Sequence, residues 1–317
     1  MPGQRLGALV SILALAAWTD NNGARWRAES AMNYVDAHVH VWTPDLDRYP
    51  LAAGYRKEDM HPASFTPTEL FEHTKAAGVV RINLIQMSWY GFDNSYMLDM
   101  IAKHKGVFSG TAVIDPAGAN PERLMTELAG RGVRAFRIYP GLEKGTRPNS
   151  GTGARWLEHE GYARMFAAGG KNNQAISCLI NPDALPDLDR MCRLYSETPV
   201  IIDHLCRIGT DGVIRERDVD SLCALAQHKR VMVKVGAFYA LGSKRAPYAD
   251  LAPLIQRVVK AYGADRCMWE SDSPFQVVNG HHYKDSVELV RSVLTFLSAD
   301  ERDWLLRKTA EQFFFPR

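Results

Sequence analysis

From Tyr34 onward, short apolar runs alternate with stretches of helical periodicity about eight times along the chain. Residues 34–41 read as a first strand. Further strands are expected at 79–86, 107–114, 133–139, 174–180, 199–203, 231–235 and 266–270. Thr66-Pro67-Thr68-Glu69 carries a cap, a proline at the first helical position and a glutamate three residues after the cap, so it opens a helix. Helices are also expected at 94–105, 121–129, 187–195, 283–297 and 301–313, with another between strands six and seven. The helix at 301–313 stands behind a second capping box, Ser298-Ala299-Asp300-Glu301. Residues 140–156 carry Gly and Pro without a period and read as a long loop, a feature often functional in compact domains. Strands separated by helices pair in parallel through right-handed crossovers, and eight such units predict a closed (β/α)8 TIM barrel. The open doubly wound sheet is the runner-up, but no Gly-x-Gly-x-x-Gly turn follows strand one.

The residues before this pattern are different in kind. Arg5 precedes an apolar run from Leu6 to Trp18, with Ala14-Leu15-Ala16 resembling a cleavage site. That run is too short to span a bilayer. Residues 1–31 are therefore expected to be an extension or a signal-like segment outside the fold, and 32–317 a single barrel domain. Five scattered cysteines without a Cys-x-x-Cys pair suit a reducing compartment, hence the cytoplasm, with export through the N-terminal segment as the alternative. A hydrophobic fraction of 46% with 23% charged residues is that of a soluble globular protein. A net charge of +2 without a basic run leaves nucleic acid and membrane poor candidates, and a small molecule the expected partner. A homo-oligomer stays open.

In a barrel the chemistry is expected where strands end. Asp36-Ala37-His38-Val39-His40 ends strand one, and side chains at i and i+2 share a face about 7 Å apart. Both imidazoles, with Asp36 on the same face, can then serve one site. A His-x-His pair arises easily by chance, so its position carries the weight. Asp203-His204 closes strand six, where a lone histidine is otherwise a hydrogen-bonded structural residue. Asp272 leaves strand eight in Ser271-Asp272-Ser273-Pro274; its bland reading is a capping aspartate. Together, His38, His40, His204 and Asp272 form a plausible site for one divalent ion, zinc first, with room for water or substrate. Arg137 and Arg207 can clamp a carboxylate bidentately. Gln86, Trp42 and Tyr49 are the further candidates for contacting substrate.

In this order the motifs resemble the amidohydrolase superfamily, particularly the branch with 2-pyrone-4,6-dicarboxylate lactonase and sugar-acid lactonases. Gly91-Phe92-Asp93-Asn94-Ser95 resembles its Gly-Thr-Asp-Asn-Ser stretch, and Gly132-Val133-Arg134-Ala135-Phe136-Arg137 its Gly-x-Arg-Gly-x-Arg strand. The resemblance implies a hydrolase that opens a lactone or related ester with activated water. Asp272 would act as base beside His204, with one divalent metal or none. Strand four holds Arg137 and Tyr139 but no lysine, so the bridging carbamate of two-metal relatives has no counterpart. Glu270 stands where the branch often has glycine. We expect it to neutralise Lys234, the one charge in the apolar run 231–235; joining the metal site is the alternative. Nonoxidative decarboxylases share the same His and Asp set and are the competing enzyme reading. A noncatalytic ligand-binding barrel is the more distant one.

Overall fold

The computed structural model describes residues 33–148 and 153–316. The expected extension at 1–31 lies outside the described residues. Eight parallel strands pair in chain order: β1 (Tyr34–Val39), β2 (Val79–Ile85), β3 (Phe108–Ala112), β4 (Val133–Ile138), β5 (Ala175–Cys178), β6 (Val200–Ile202), β7 (Val231–Gly236) and β8 (Cys267–Glu270). The ends of the sheet meet at the site. Val39 bridges Ser273, His40 N donates to Ser273 O at 2.8 Å, and Asp272 N donates to His38 O at 3.0 Å. This is the α/β barrel expected from the alternation.

Around the strands run α1 (Pro67–Ala76), α2 (Ser95–Lys103), α3 (Pro121–Ala129), α4 (Glu160–Asn172), α5 (Leu185–Leu194), α6 (Glu216–Ala224) and α7 (Ala252–Tyr262). Thr66 and Glu69 form the reciprocal cap of α1. Two helices, α4 and α7, stand where the sequence reading assigns none. Gly169 and Gly170 weaken the helical signal of α4. Gly169 is needed there, since a Cβ would meet Gln174 O at 2.8 Å. The helix expected at 283–297 is α8 (Tyr283–Glu288) continuing into a π-turn at Leu289–Val293. The last expected helix is likewise divided, into α9 (Ala299–Asp303), a π-turn at Trp304–Lys308 and α10 (Thr309–Phe314).

The larger core lies between strands and helices, as parallel strands covered on both faces require. A smaller cluster of Val35, Ala37, Ala135, Ala175, Ile201 and Met268 packs with Ala310 and Phe314 of α10.

Candidate active site

A register shift between Asp36 and Val39 interrupts the alternation of β1. Ala37 joins the smaller core cluster, and Asp36 is not beside the imidazoles as its spacing suggested. Its carboxylate accepts from Tyr283 OH of α8 at 2.6 Å, Ser271 N at 3.0 Å and His38 N at 3.1 Å. Burial raises its pKa to about 6, with those bonds opposing the rise. Asp36 therefore ties β1 to β8 and α8.

His38 and His40 meet at their Nε2 atoms, 3.2 Å apart. His40 Nδ1 lies 3.0 Å from Ile85 O, which can only accept, so the His40 proton sits on Nδ1 and Nε2 holds a lone pair. Arg137 Nη2 approaches His38 Nε2 at 2.9 Å. A guanidinium offers no acceptor, so this nitrogen also carries a lone pair. The other nitrogen of His38, Nδ1, is 2.9 Å from Glu270 Oε2 and 3.1 Å from Lys234 Nζ. Burial, then Lys234 and Arg137, push the His38 pKa well below its ordinary value. Burial also lowers that of His40, against the pull of Asp272.

Asp203 anchors the cations. It accepts from Arg137 Nη2 at 3.1 Å and Ser177 Oγ at 3.0 Å, and it pairs with Lys234 Nζ at 3.0 Å. Burial alone would raise its pKa, but Lys234 and Arg137 hold it below the usual carboxylate range. This corrects the expected Lys234–Glu270 pair. In the register of β6 on β7, Ile202 lies beside Val233, so Asp203 is level with Lys234. Glu270 instead lies beside Gly236, two residues further along β7. A Cβ at Gly236 would stand 2.2 Å from Glu270 Cγ and 2.1 Å from its carbonyl oxygen, so glycine makes room for this carboxylate.

Glu270 serves His204. Its Oε1 accepts from His204 N at 3.0 Å and lies 2.6 Å from His204 Nδ1. His204, Leu205, Cys206 and Arg207 all have φ between 51° and 57°, a left-handed turn. Such a turn costs roughly 1–2 kcal/mol per residue. The turn places His204 and Arg207 together on the wall of one cavity. Burial would lower the His204 pKa, but Glu270 and Asp272 outweigh it and raise it.

Asp272 also has positive φ, 60°. Its Oδ2 accepts from Tyr239 OH at 2.7 Å. Its Oδ1 is buried without a hydrogen-bond partner, 3.5 Å from His38 Nε2 and 3.4 Å from His40 Nε2. Burial opposes ionisation, but His204, His40 and Tyr239 prevail and lower its pKa. Tetrahedral ligands with bonds of about 2.0–2.2 Å stand roughly 3.3–3.5 Å apart. The donor triple His38 Nε2, His40 Nε2 and Asp272 Oδ1 therefore fits a divalent ion. His38, His204 and Glu270 form a second close group. His204 Nε2 is 3.8 Å from Asp272 Oδ2.

Above this cluster opens a cavity of about 600 Å³, the size of a small-molecule site. His40, Arg137, His204, Arg207, Tyr239 and Asp272 share it with apolar walls that include Leu142, Leu179 and Phe275. Gln86 lines it too, though its Nε2 donates to Asp93 O at 2.5 Å and so holds the following loop. Trp42 and Tyr49 do not line it. Trp42 is fully buried against Trp89 and donates from Nε1 to Pro62 O at 3.0 Å, while Tyr49 OH donates to Asp99 at 2.7 Å. Loop aromatics near a barrel mouth are here absorbed by the core. Tyr239 and Asp203 went unassigned in the sequence; Tyr239 follows β7 in an apolar stretch without a motif.

A closed parallel barrel with ionisable residues gathered at its carboxyl-terminal mouth defines an enzyme of the α/β-barrel class. The amidohydrolase family profile matches residues 35–315, and the chain belongs to that family. It is 27% identical over 246 residues to 4-sulfomuconolactone hydrolase from Rhizobium radiobacter, covering 75% of each chain. To 2-pyrone-4,6-dicarboxylate hydrolase from Comamonas testosteroni it is 26% identical over 265 residues, covering 80% of each. An amidohydrolase from Burkholderia multivorans, solved with bound zinc, superposes with a TM-score of 0.74 at 20% identity. That match covers 89% of this chain and 99% of the other.

Proposed function

We propose that this protein hydrolyses the lactone bond of a small substrate bearing a carboxylate or similar anion. The observation that carries this reading is one cavity joining a buried carboxylate, Asp272, to two guanidinium groups, Arg137 and Arg207. The first supplies a base, Arg137 a charge for the oxyanion and Arg207 an anion clamp. Of three lactone hydrolases among the relatives, two are named for anionic rings and the third for a sugar lactone, which supports lactone opening and favours an anionic substrate.

Tyr239 fixes Asp272 Oδ2, so with no ion on the carboxylate the base atom is Oδ1, which has no hydrogen-bond partner. Water attacks the lactone carbonyl as Oδ1 takes its proton. The oxyanion that forms is met by the Arg137 guanidinium and by His204, whose ring is oriented through Nδ1 on Glu270. Collapse breaks the ring C–O bond. The proton on Asp272 then passes to the departing ring oxygen, leaving a hydroxy acid. Arg207 holds the substrate anion during both steps.

His38, His40 and Asp272 would hold a divalent ion, zinc in our reading, with His204 beside them. When bound, it would supply Lewis acidity at the carbonyl and a more acidic water. The test is a panel of carboxylated and neutral lactones, with ring opening followed by acid release and carbon dioxide by gas analysis. Ring opening without carbon dioxide is the expected result. Carbon dioxide from hydroxybenzoates with no lactone turnover would replace this reading by the decarboxylase one.

A further inference from the structure

The donor triple that fits an ion has a rival occupant. We propose that Arg137 and a divalent ion compete for the same lone pair, Nε2 of His38, so that this guanidinium sets the protein's metal affinity.

Within the donor triple, His38 reaches an ion through one nitrogen, Nε2. Its Nδ1 is closed off by Lys234 Nζ at 3.1 Å and Glu270 Oε2 at 2.9 Å, in a ring with no solvent exposure. Its Nε2 faces His40 Nε2 and Asp272 Oδ1, as the donor triple requires. The same atom already accepts from Arg137 Nη2 at 2.9 Å. A lone pair shared with a guanidinium hydrogen is unavailable to a cation.

Arg137 cannot easily step aside. It is buried, and its Nε and Nη2 both donate to Asp203 Oδ2, at 3.3 and 3.1 Å. Asp203 is itself fixed by Ser177 and Lys234. An ion gaining His38 must displace one arm of a fork anchored on its other side. Otherwise it sits beside a permanent positive charge in a poorly screened interior.

Charge points the same way. The ammonium of Lys234 and the guanidinium of Arg137, both buried, already stand against the Asp203 carboxylate, so an added dication meets two fixed positive charges beside His38.

The inference concerns metal binding and is independent of the substrate, so its test needs no turnover. Protein stripped with a chelator is titrated with zinc against a chromophoric competitor. Arg137→Met is expected to bind zinc at least tenfold more tightly than the wild type. Arg137→Lys keeps a cation for Asp203 on a stem too short to cover Nε2, and protects the fold if the methionine variant is unstable. It too should bind more tightly, by severalfold. Arg207→Met removes a cavity charge without touching His38 and should change the affinity less than threefold. His38→Gln should lose the binding. Unchanged or weaker zinc affinity in both Arg137 variants would overturn the proposal. So would equal tightening in Arg207→Met, which would mean a general field, or zinc retained by His38→Gln, which would place the ion elsewhere.

Discussion

Lys234 is fully buried, and its ammonium touches Asp203 Oδ1 at 3.0 Å and His38 Nδ1 at 3.1 Å. Lys234→Met keeps an unbranched stem of similar size, so little packing is lost. What it removes is half of a buried ion pair. Asp203 keeps Arg137 and Ser177, so the stranded charge is softened but not neutralised. Breaking such a pair from one side typically costs about 3–5 kcal/mol, and the retained partners place this case near the lower end. Asp203→Asn strands Lys234 and also takes the carboxylate from Arg137, so it should cost more. The double variant leaves only Arg137 without its carboxylate and should be less destabilised than the sum by about 2 kcal/mol or more. Urea unfolding followed by circular dichroism measures all four corners of the cycle. The pH dependence has a definite sign. Asp203 is depressed in the folded state, so its contribution is present above the unfolded value near pH 4 and is lost as pH falls below it. Without Lys234 the folded value is less depressed, so the loss still begins near pH 4 but is smaller and ends at higher pH. Changes that add to within about 0.5 kcal/mol would refute the coupling. A larger coupling to Glu270→Gln than to Asp203→Asn would return Lys234 to the counter-ion expected from its sequence neighbourhood.

Three kinetic predictions follow from the same geometry. Asp272→Asn keeps the shape but removes the proton acceptor, so kcat should fall by roughly 10²–10⁴ with little change in KM, and a kcat near wild type would exclude Asp272 as the base. Tyr239→Phe frees Asp272 Oδ2 from its 2.7 Å bond. Hydrogen bonds to charged groups are worth about 1.5–3 kcal/mol, so kcat should drop roughly tenfold or more; an effect confined to stability would make Tyr239 a packing residue. Arg207→Met should raise KM for carboxylated lactones by about tenfold or more while sparing neutral ones, and equal losses on both would remove the anion clamp.

Much of this arrangement was legible in the sequence because barrel chemistry sits where strands stop. The apolar runs before His204 and Asp272 locate those stops, and the His-x-His spacing marks a third. Contacts that depend on register were not legible. Lys234 reads as a partner for Glu270 because β7 and β8 are neighbours, yet β6 brings Asp203 to its level. Strict alternation puts Asp36 beside His38, and a shift of the β1 register undoes it. Trp42 and Tyr49 look like substrate contacts because loops of a barrel mouth carry them, while burial against Trp89 and Tyr96 claims them for the core. Tyr239 had no local signal; only the approach of its hydroxyl to Asp272 singles it out.

The seam of the barrel gives the site a place in time. The backbone atoms of His38 and His40 close the barrel onto Asp272 and Ser273, so the residues that would bind and react are also the fastening between the first strand and the last. More than two hundred residues separate the two sides in the chain. Contacts so distant in sequence are the slow ones to form. A nascent chain has its histidines early but lacks Asp272 and Glu270 until the eighth strand has been made. The assembled site is thus a mark of completion, present only in molecules whose last strand has found the first.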